Sequence, residues 1–210
     1  MKGSGNLDII QFDEIESTSA AAKEMVRAGK TAPFCLVAGR QTGGVGRYGR
    51  KFWSPVGGVY MTLVLCDTDF KYKFGTGYIA VCLVNVIKRL MADKKQTSDV
   101  EIKWVNDINI DCKKVAGILV EKVGRCFVIG IGVNLKCKEQ VPDDLKDRIG
   151  FLNVGISKKD LIDKIIKEIT TLKIDDEEIR RQYLLCCKDV DINLDGSRNM
   201  PDGRVLVSDC

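Results

Sequence analysis

Apolar residues fall into short runs separated by polar or glycine-rich breaks, and the spacing within each run predicts its element. Ile9 to Ile15 reads as a first strand. Ser17-Thr18-Ser19 then supplies N-cap candidates for a helix through Ala20, Ala21, Ala22 and Met25, with Gly29 as its C-cap. Phe34 to Ala38 and Val59 to Leu65 read as core strands that hold the intervening loop between them. From Tyr78 to Met91 apolar residues lie nearly all round a helical projection, which predicts a buried helix crossing a sheet face.

Glu101 to Trp104, Ile108 to Ile110, Val115 to Glu121 and Cys126 to Val133 read as successive strands. The polar turns Asp111-Cys112-Lys113 and Gly124-Arg125 predict hairpins between them. Ser157 and Asp160 then open an amphipathic helix with Leu161, Ile162, Ile165, Ile166, Ile169 and Leu172 on one face. Asp175 caps another through Ile179 and Tyr183. Residues 189–210 are polar and turn-rich, a hairpin at most, so the expected division is a main domain over 1–188 and a short C-terminal remnant over 189–210. Hairpins mixed with helices predict an α+β fold with a mixed, largely antiparallel sheet covered by helices, rather than a regular βαβ alternation.

Composition narrows the chemistry. The chain has 210 residues, 45% of them hydrophobic, enough for a real core. Its 33 Lys and Arg against 29 Asp and Glu leave a net charge of +4, too mild an excess to point to nucleic acid. Nine cysteines is an odd number, and Cys35, Cys66, Cys82 and Cys126 sit in apolar runs, so they read as reduced core thiols. With no histidine and no C-x-x-C pair, a structural metal site is not expected. The absence of histidine also excludes Ser-His and Cys-His nucleophiles and leaves Lys, Arg, carboxylates and backbone dipoles. Apolar stretches break within about ten residues, short of the ~20 a membrane helix needs, so no membrane partner is expected and the expected setting is cytoplasmic.

Residues 39–51 place five glycines among three arginines and a lysine. Glycine lets backbone N–H groups cup an anion, and guanidinium binds phosphate oxygens, often in pairs. The flanking core strands favour that reading over a mobile, solvated loop. The loop is neither a P-loop nor a Rossmann fingerprint, since both required patterns are missing.

The loop runs into Phe52-Trp53-Ser54-Pro55, and three further segments follow in order: Lys103-Trp104-Val105-Asn106-Asp107, Lys113 to Glu121, and Gly130-Ile131-Gly132-Val133-Asn134. Together they resemble the catalytic domain of biotin protein ligases, from about Ser17 to Tyr183. The resemblance implies the biotin–lipoate ligase variant of the class II synthetase fold. It also implies ATP-dependent activation of biotin to biotinyl-AMP and transfer to a lysine of a biotin-carrier domain in a carboxylase. By that likeness Ser17, Thr18, Ser19, Gln41, Gly44, Val45, Gly46 and Gly117 serve biotin. Arg47 holds the acyl phosphate and Arg50 closes the loop over phosphates, while Lys103 reaches the biotin carboxylate and α-phosphate. Phe52 or Trp53, Asn106, Lys114 and Asn134 serve the nucleotide.

An ionised carboxylate attacking the α-phosphorus needs charge and alignment rather than a base, with Mg²⁺ held largely by the ATP phosphates. In the second step Asp107 is a candidate to orient or deprotonate the carrier amine. Taken alone, Ser17 and Thr18 are adequate as helix caps, Lys103 as a solvated strand end, Lys114 as a hairpin end and Asp107 as a turn former.

Three positions depart from the usual pattern: Val45 in place of arginine, the order Phe52-Trp53, and Val105 in place of proline. The substitution at Val105 predicts a looser turn around Asn106 and Asp107. No DNA-binding winged helix is expected before Ile9, and the C-terminal domain is expected to be shortened. A homodimer stays open. The rival readings are a lipoate ligase with the same acyl-adenylate chemistry and an RNA-binding module using the basic glycine loop.

Overall fold

Two parallel strands need a crossover, and the first forty residues supply one. Strand β1 (Asp8–Ile15) leads through helix α1 (Thr18–Arg27) into β2 (Phe34–Gln41), which pairs parallel with β1. Every later pairing in the sheet is antiparallel: β3 (Val59–Cys66), β4 (Val100–Lys103), β5 (Asp107–Ile110), β6 (Lys113–Val123) and β7 (Cys126–Val133) complete it in the order β1-β2-β3-β7-β6-β5-β4. The structure is a computed structural model that describes residues 7–137 and 139–187, plus the backbone of 198–199 and 205–206. The expected mixed, largely antiparallel sheet is therefore present. The proposed boundary at 188–189 lies outside the described residues, within which β8 (Arg198–Asn199) and β9 (Val205–Leu206) pair antiparallel.

Helices α2 (Gly75–Asp93), α3 (Lys158–Thr171) and α4 (Asp176–Cys186) pack together over one face of the sheet. Alternation along β3 divides the two sides, Met61 and Leu63 joining the α2 core while Val64 joins a smaller cluster with Ala22 of α1. Capping follows the sequence: Ser17, Ser157 and Asp175 each accept a backbone N–H at the start of a helix, and Gly29 follows α1 with φ +89°. The expected hairpins form too, with Asp111 and Cys112 at φ 48° and 64° between β5 and β6.

One expectation needs correction. Helix α2, read as Tyr78 to Met91, extends over 19 residues and is by length and composition apolar enough to cross a membrane. Yet 67% of that stretch is buried inside the protein, because α2 lies between the sheet and helices α3 and α4. It is a core helix whose apolar circumference is consumed by packing.

Helix α1 covers the β1-β2-β3-β7 part of the opposite face and reaches β6 at its far end, where Lys23 pairs with Glu121 at 3.0 Å. Over β5, the rest of β6 and the end of β7 that face is open, and the site lies there.

Candidate active site

The open face forms a cavity of about 1180 Å³. The start of α1, the loop after β2, the turn between β4 and β5, strands β5 to β7 and residues 142–149 line it. Every residue predicted for the site lines this cavity except Ser17. The Ser17 hydroxyl accepts the Ala20 N–H at 3.3 Å, which makes it the α1 cap and leaves its neighbours to face the cavity.

At the α1 end, side chains form a directed relay. Gln41 Oε1 accepts from the Thr18 N–H at 2.8 Å and from its hydroxyl at 3.0 Å. The Thr62 hydroxyl donates to Thr18 Oγ1 at 2.9 Å and lies 3.1 Å from Ser19 Oγ. On the other side of the amide, Gln41 Nε2 donates to Ser54 Oγ at 3.0 Å, and that hydroxyl donates to the Phe52 carbonyl at 2.9 Å. A hydroxyl proton donates once, so Thr62's commitment to Thr18 assigns the Ser19–Thr62 bond to a Ser19 donor. Ser19 keeps acceptor capacity and Gln41 Nε2 keeps a second proton: the two polarities that a ureido or amide group requires.

Toward the middle of the cavity the sheet surface is bare of side chains. Gly117 and Gly132 face each other across β6 and β7. A Cβ on Gly132 would stand 2.5 Å from the Phe52 ring, and one on Gly117 would meet the same ring at 2.9 Å and Lys114 Nζ at 3.2 Å. Phe52 therefore rests on a glycine platform, with Tyr60 edge-on to it at 6.5 Å. The Tyr60 hydroxyl donates to the Pro55 carbonyl at 2.7 Å, and burial raises its pKa, so the prop stays neutral. Of the two aromatic candidates, Phe52 occupies the platform; Trp53 also lines the cavity.

Charge gathers beside the platform. Lys114 Nζ lies 2.8 Å from Asp107 Oδ1 and 5.2 Å from the Phe52 ring centroid. Lys103 is exposed at the end of β4, whereas Lys114 is partly buried. Both line the cavity, as does Arg47. The glycine loop folds back on itself, with Gln41 bridged to Ser54, Val45 to Lys51, and the Gly46 N–H bonded to the Arg50 carbonyl at 2.7 Å. At its tip the Arg47 guanidinium stacks 5.1 Å from the exposed Tyr48 ring. Arg50 is exposed near the tip, and the Val45 side chain is also exposed.

The turn carrying Asn106 and Asp107 is firmly tied, contrary to the looseness expected from Val105. Val105 is buried and its carbonyl accepts from Tyr183 Oη at 2.9 Å. Asn106 donates from Nδ2 to the Ile118 carbonyl at 3.0 Å and accepts the Ile118 N–H at 2.9 Å. The Trp104–Val105 peptide bond is cis. Asn134 likewise uses its Nδ2, donating to the Lys114 carbonyl at 3.1 Å, so its amide positions Lys114.

Sequence reasoning missed Thr62 and Ser54 as relay members, and Arg148, which reaches the cavity from the segment where Lys114 pairs with Ile149. A threonine inside the apolar run Val59 to Leu65 was the available signal for Thr62. Arg148 carried none, because its placement depends on a bridge to β6.

Comparison with known proteins finds likenesses in both sequence and fold. The sequence pattern of the biotin/lipoate A/B protein ligase family matches residues 11–135. The chain is 34% identical over 158 residues to the bifunctional ligase/repressor BirA of Bacillus spizizenii, covering 72% of this chain and 48% of that protein. It is 32% identical over 131 residues to the biotin--[acetyl-CoA-carboxylase] ligase of Paracoccus denitrificans, covering 57% of this chain and 51% of that one. The chain thus spans about half the length of these curated relatives. In fold it is similar to a biotin protein ligase from Aquifex aeolicus in complex with biotin and ATP, with a TM-score of 0.76 and 24% identity over 96% of each chain. It is also similar to the Helicobacter pylori biotin acetyl coenzyme A carboxylase synthetase with bound biotinylated ATP, with a TM-score of 0.78 and 23% identity over 95% of this chain and 99% of that one.

Proposed function

Because this chain belongs to the biotin/lipoate A/B protein ligase family, we propose that it joins biotin to ATP as biotinyl-AMP and passes the biotinyl group to a lysine of a carboxylase's biotin-carrier domain. One observation carries the proposal: a donor–acceptor relay and a cationic centre share one cavity, with a glycine platform between them. The relay of Ser19, Thr18 and Gln41 binds the ureido ring, while apolar wall and Phe52 take the rest of the acid. This places the carboxylate near Lys114.

A carboxylate oxygen then forms a bond to the α-phosphorus as the bond to the leaving pyrophosphate breaks. Lys114, with Lys103 and Arg47, offsets charge on the reacting oxygens in a site that needs no base for this step. Magnesium, when bound, neutralises the pyrophosphate. Asp107 is the cavity carboxylate paired with Lys114. In the second step the carrier amine attacks the acyl carbon, AMP leaves with the bonding pair, and Asp107 orients the amine and accepts its proton.

The test is biotin-dependent exchange of labelled pyrophosphate into ATP, with lipoate in a parallel reaction. Exchange with biotin supports the assignment, while exchange with lipoate alone replaces the substrate and absence of both removes the adenylation chemistry.

A further inference from the structure

Away from the cavity, two thiols stand face to face where β3 ends and β7 begins. Cys66 and Cys126 are direct cross-strand partners. The Asp67 N–H donates to the Arg125 carbonyl at 2.8 Å, which makes 67 and 125 a hydrogen-bonded pair. The adjacent pair, Cys66 and Cys126, is then of the non-hydrogen-bonded kind, whose Cα atoms lie about 4.5 Å apart with side chains at their closest. That separation falls within the ~4.4–6.8 Å that a disulfide spans.

The surroundings hold this pair in register. Val64 and Val128, the next partners on the same face, are both fully buried. Beyond the cysteines, Arg125 donates from Nε and Nη2 to both Asp67 oxygens, at 3.3 and 3.2 Å. Both thiols are free and only partly buried. Cys35 and Cys82 differ, being sealed in the core, where burial pushes the Cys35 thiol up to about 12. Neither Cys66 nor Cys126 lines the cavity.

We propose that Cys66 and Cys126 are a redox-active dithiol that closes to a cross-strand disulfide by exchange with a low-molecular-weight disulfide. One protein thiolate attacks the small disulfide, giving a mixed disulfide and one small thiolate. The second protein thiolate then attacks the protein sulfur of that mixed disulfide, forming the bond between β3 and β7 and expelling the other small thiolate. The small disulfide is reduced to two thiols, which take up the two protons the protein gives up.

The experiment treats the full chain with oxidised glutathione, blocks residual thiols with iodoacetamide in denaturant, and maps peptides without reduction. The expected result is a Cys66–Cys126 linkage, a mass lower by two hydrogens, and reversal by dithiothreitol. A Cys126→Ser chain, checked for native circular dichroism, should stop at a glutathione adduct on Cys66. Separate adducts on both cysteines of the unaltered protein, or both thiols alkylated while Cys112 has reacted, would overturn the proposal. The unaltered chain alone decides the matter should the variant fold poorly.

Discussion

Lys114 and Asp107 hold an ammonium 2.8 Å from a carboxylate on adjacent strands of the cavity wall. Both side chains are partly exposed, at 29% and 25%, so the pair adds less than about 1 kcal/mol to folding. It lies beside Gly117 and the Phe52 ring, where the proposed adenylation would use its charge. Lys114→Ala should lower the rate of biotin-dependent pyrophosphate exchange by about 10²–10³-fold, as loss of one preorganised charge-stabilising donor does. Thermal unfolding should move little. Exchange within threefold of the unaltered rate would remove Lys114 from the reaction.

The relay predicts a different signature. Thr62→Val keeps the shape of the side chain but deletes the proton donated to Thr18 and the oxygen facing Ser19. Leaving buried polar partners unpaired costs about 1–3 kcal/mol, seen as a lowered melting temperature. Titration calorimetry should also show weaker biotin binding with ATP affinity retained. A stability loss with unchanged biotin affinity would confine Thr62 to a structural role.

At the platform, Gly132→Ala drives a methyl to 2.5 Å from the Phe52 ring. The ring sits on a side chain that can rotate, so the protein should fold, with Phe52 displaced and ligand affinity reduced. Combining it with Phe52→Ala should restore packing, giving a coupling of about 0.5–3 kcal/mol between the two sites in urea unfolding. Additive effects would place Phe52 away from the platform.

Arg47 touches the rest of the protein chiefly through its neighbour Tyr48. Arg47→Gly should therefore change stability by no more than about 0.5 kcal/mol. Filter retention should show biotinyl-AMP escaping faster than from the unaltered chain; equal retention would mean that the loop tip does not hold the acyl phosphate.

Acid should loosen α4 at a defined place. Hydrogen bonds from Arg181 and Gln182 hold the Glu178 carboxyl down to about 2, from an ordinary value of 4.5. A depressed carboxylate pKa stabilises the fold above the unfolded value and loses that contribution as pH falls through the folded one. The melting-temperature gap between the unaltered chain and Glu178→Gln should be full above pH 4.5 and shrink toward pH 2. A gap independent of pH would mean that the carboxylate is not the group responsible.

The sequence by itself determined the element order, the caps at Ser17, Ser157 and Asp175, the hairpins on either side of β6, and nearly all of the residues that gather at the cavity. Those features are legible because helix and strand periods and cap chemistry are local, and because four ordered motifs carried the family resemblance. Only the tertiary structure decided which groups touch. Thr62 and Thr18 meet across 44 positions through the register of β3 beside α1. Lys114 reaches Asp107 because β5 and β6 pair with an irregularity at Ile108–Asn109. The apolar pattern marked α2 as a buried helix, but only the packing showed that the sheet and helices α3 and α4 are what bury it. Side-chain contacts depend on register and layering between distant segments, and spacing along one chain does not encode either.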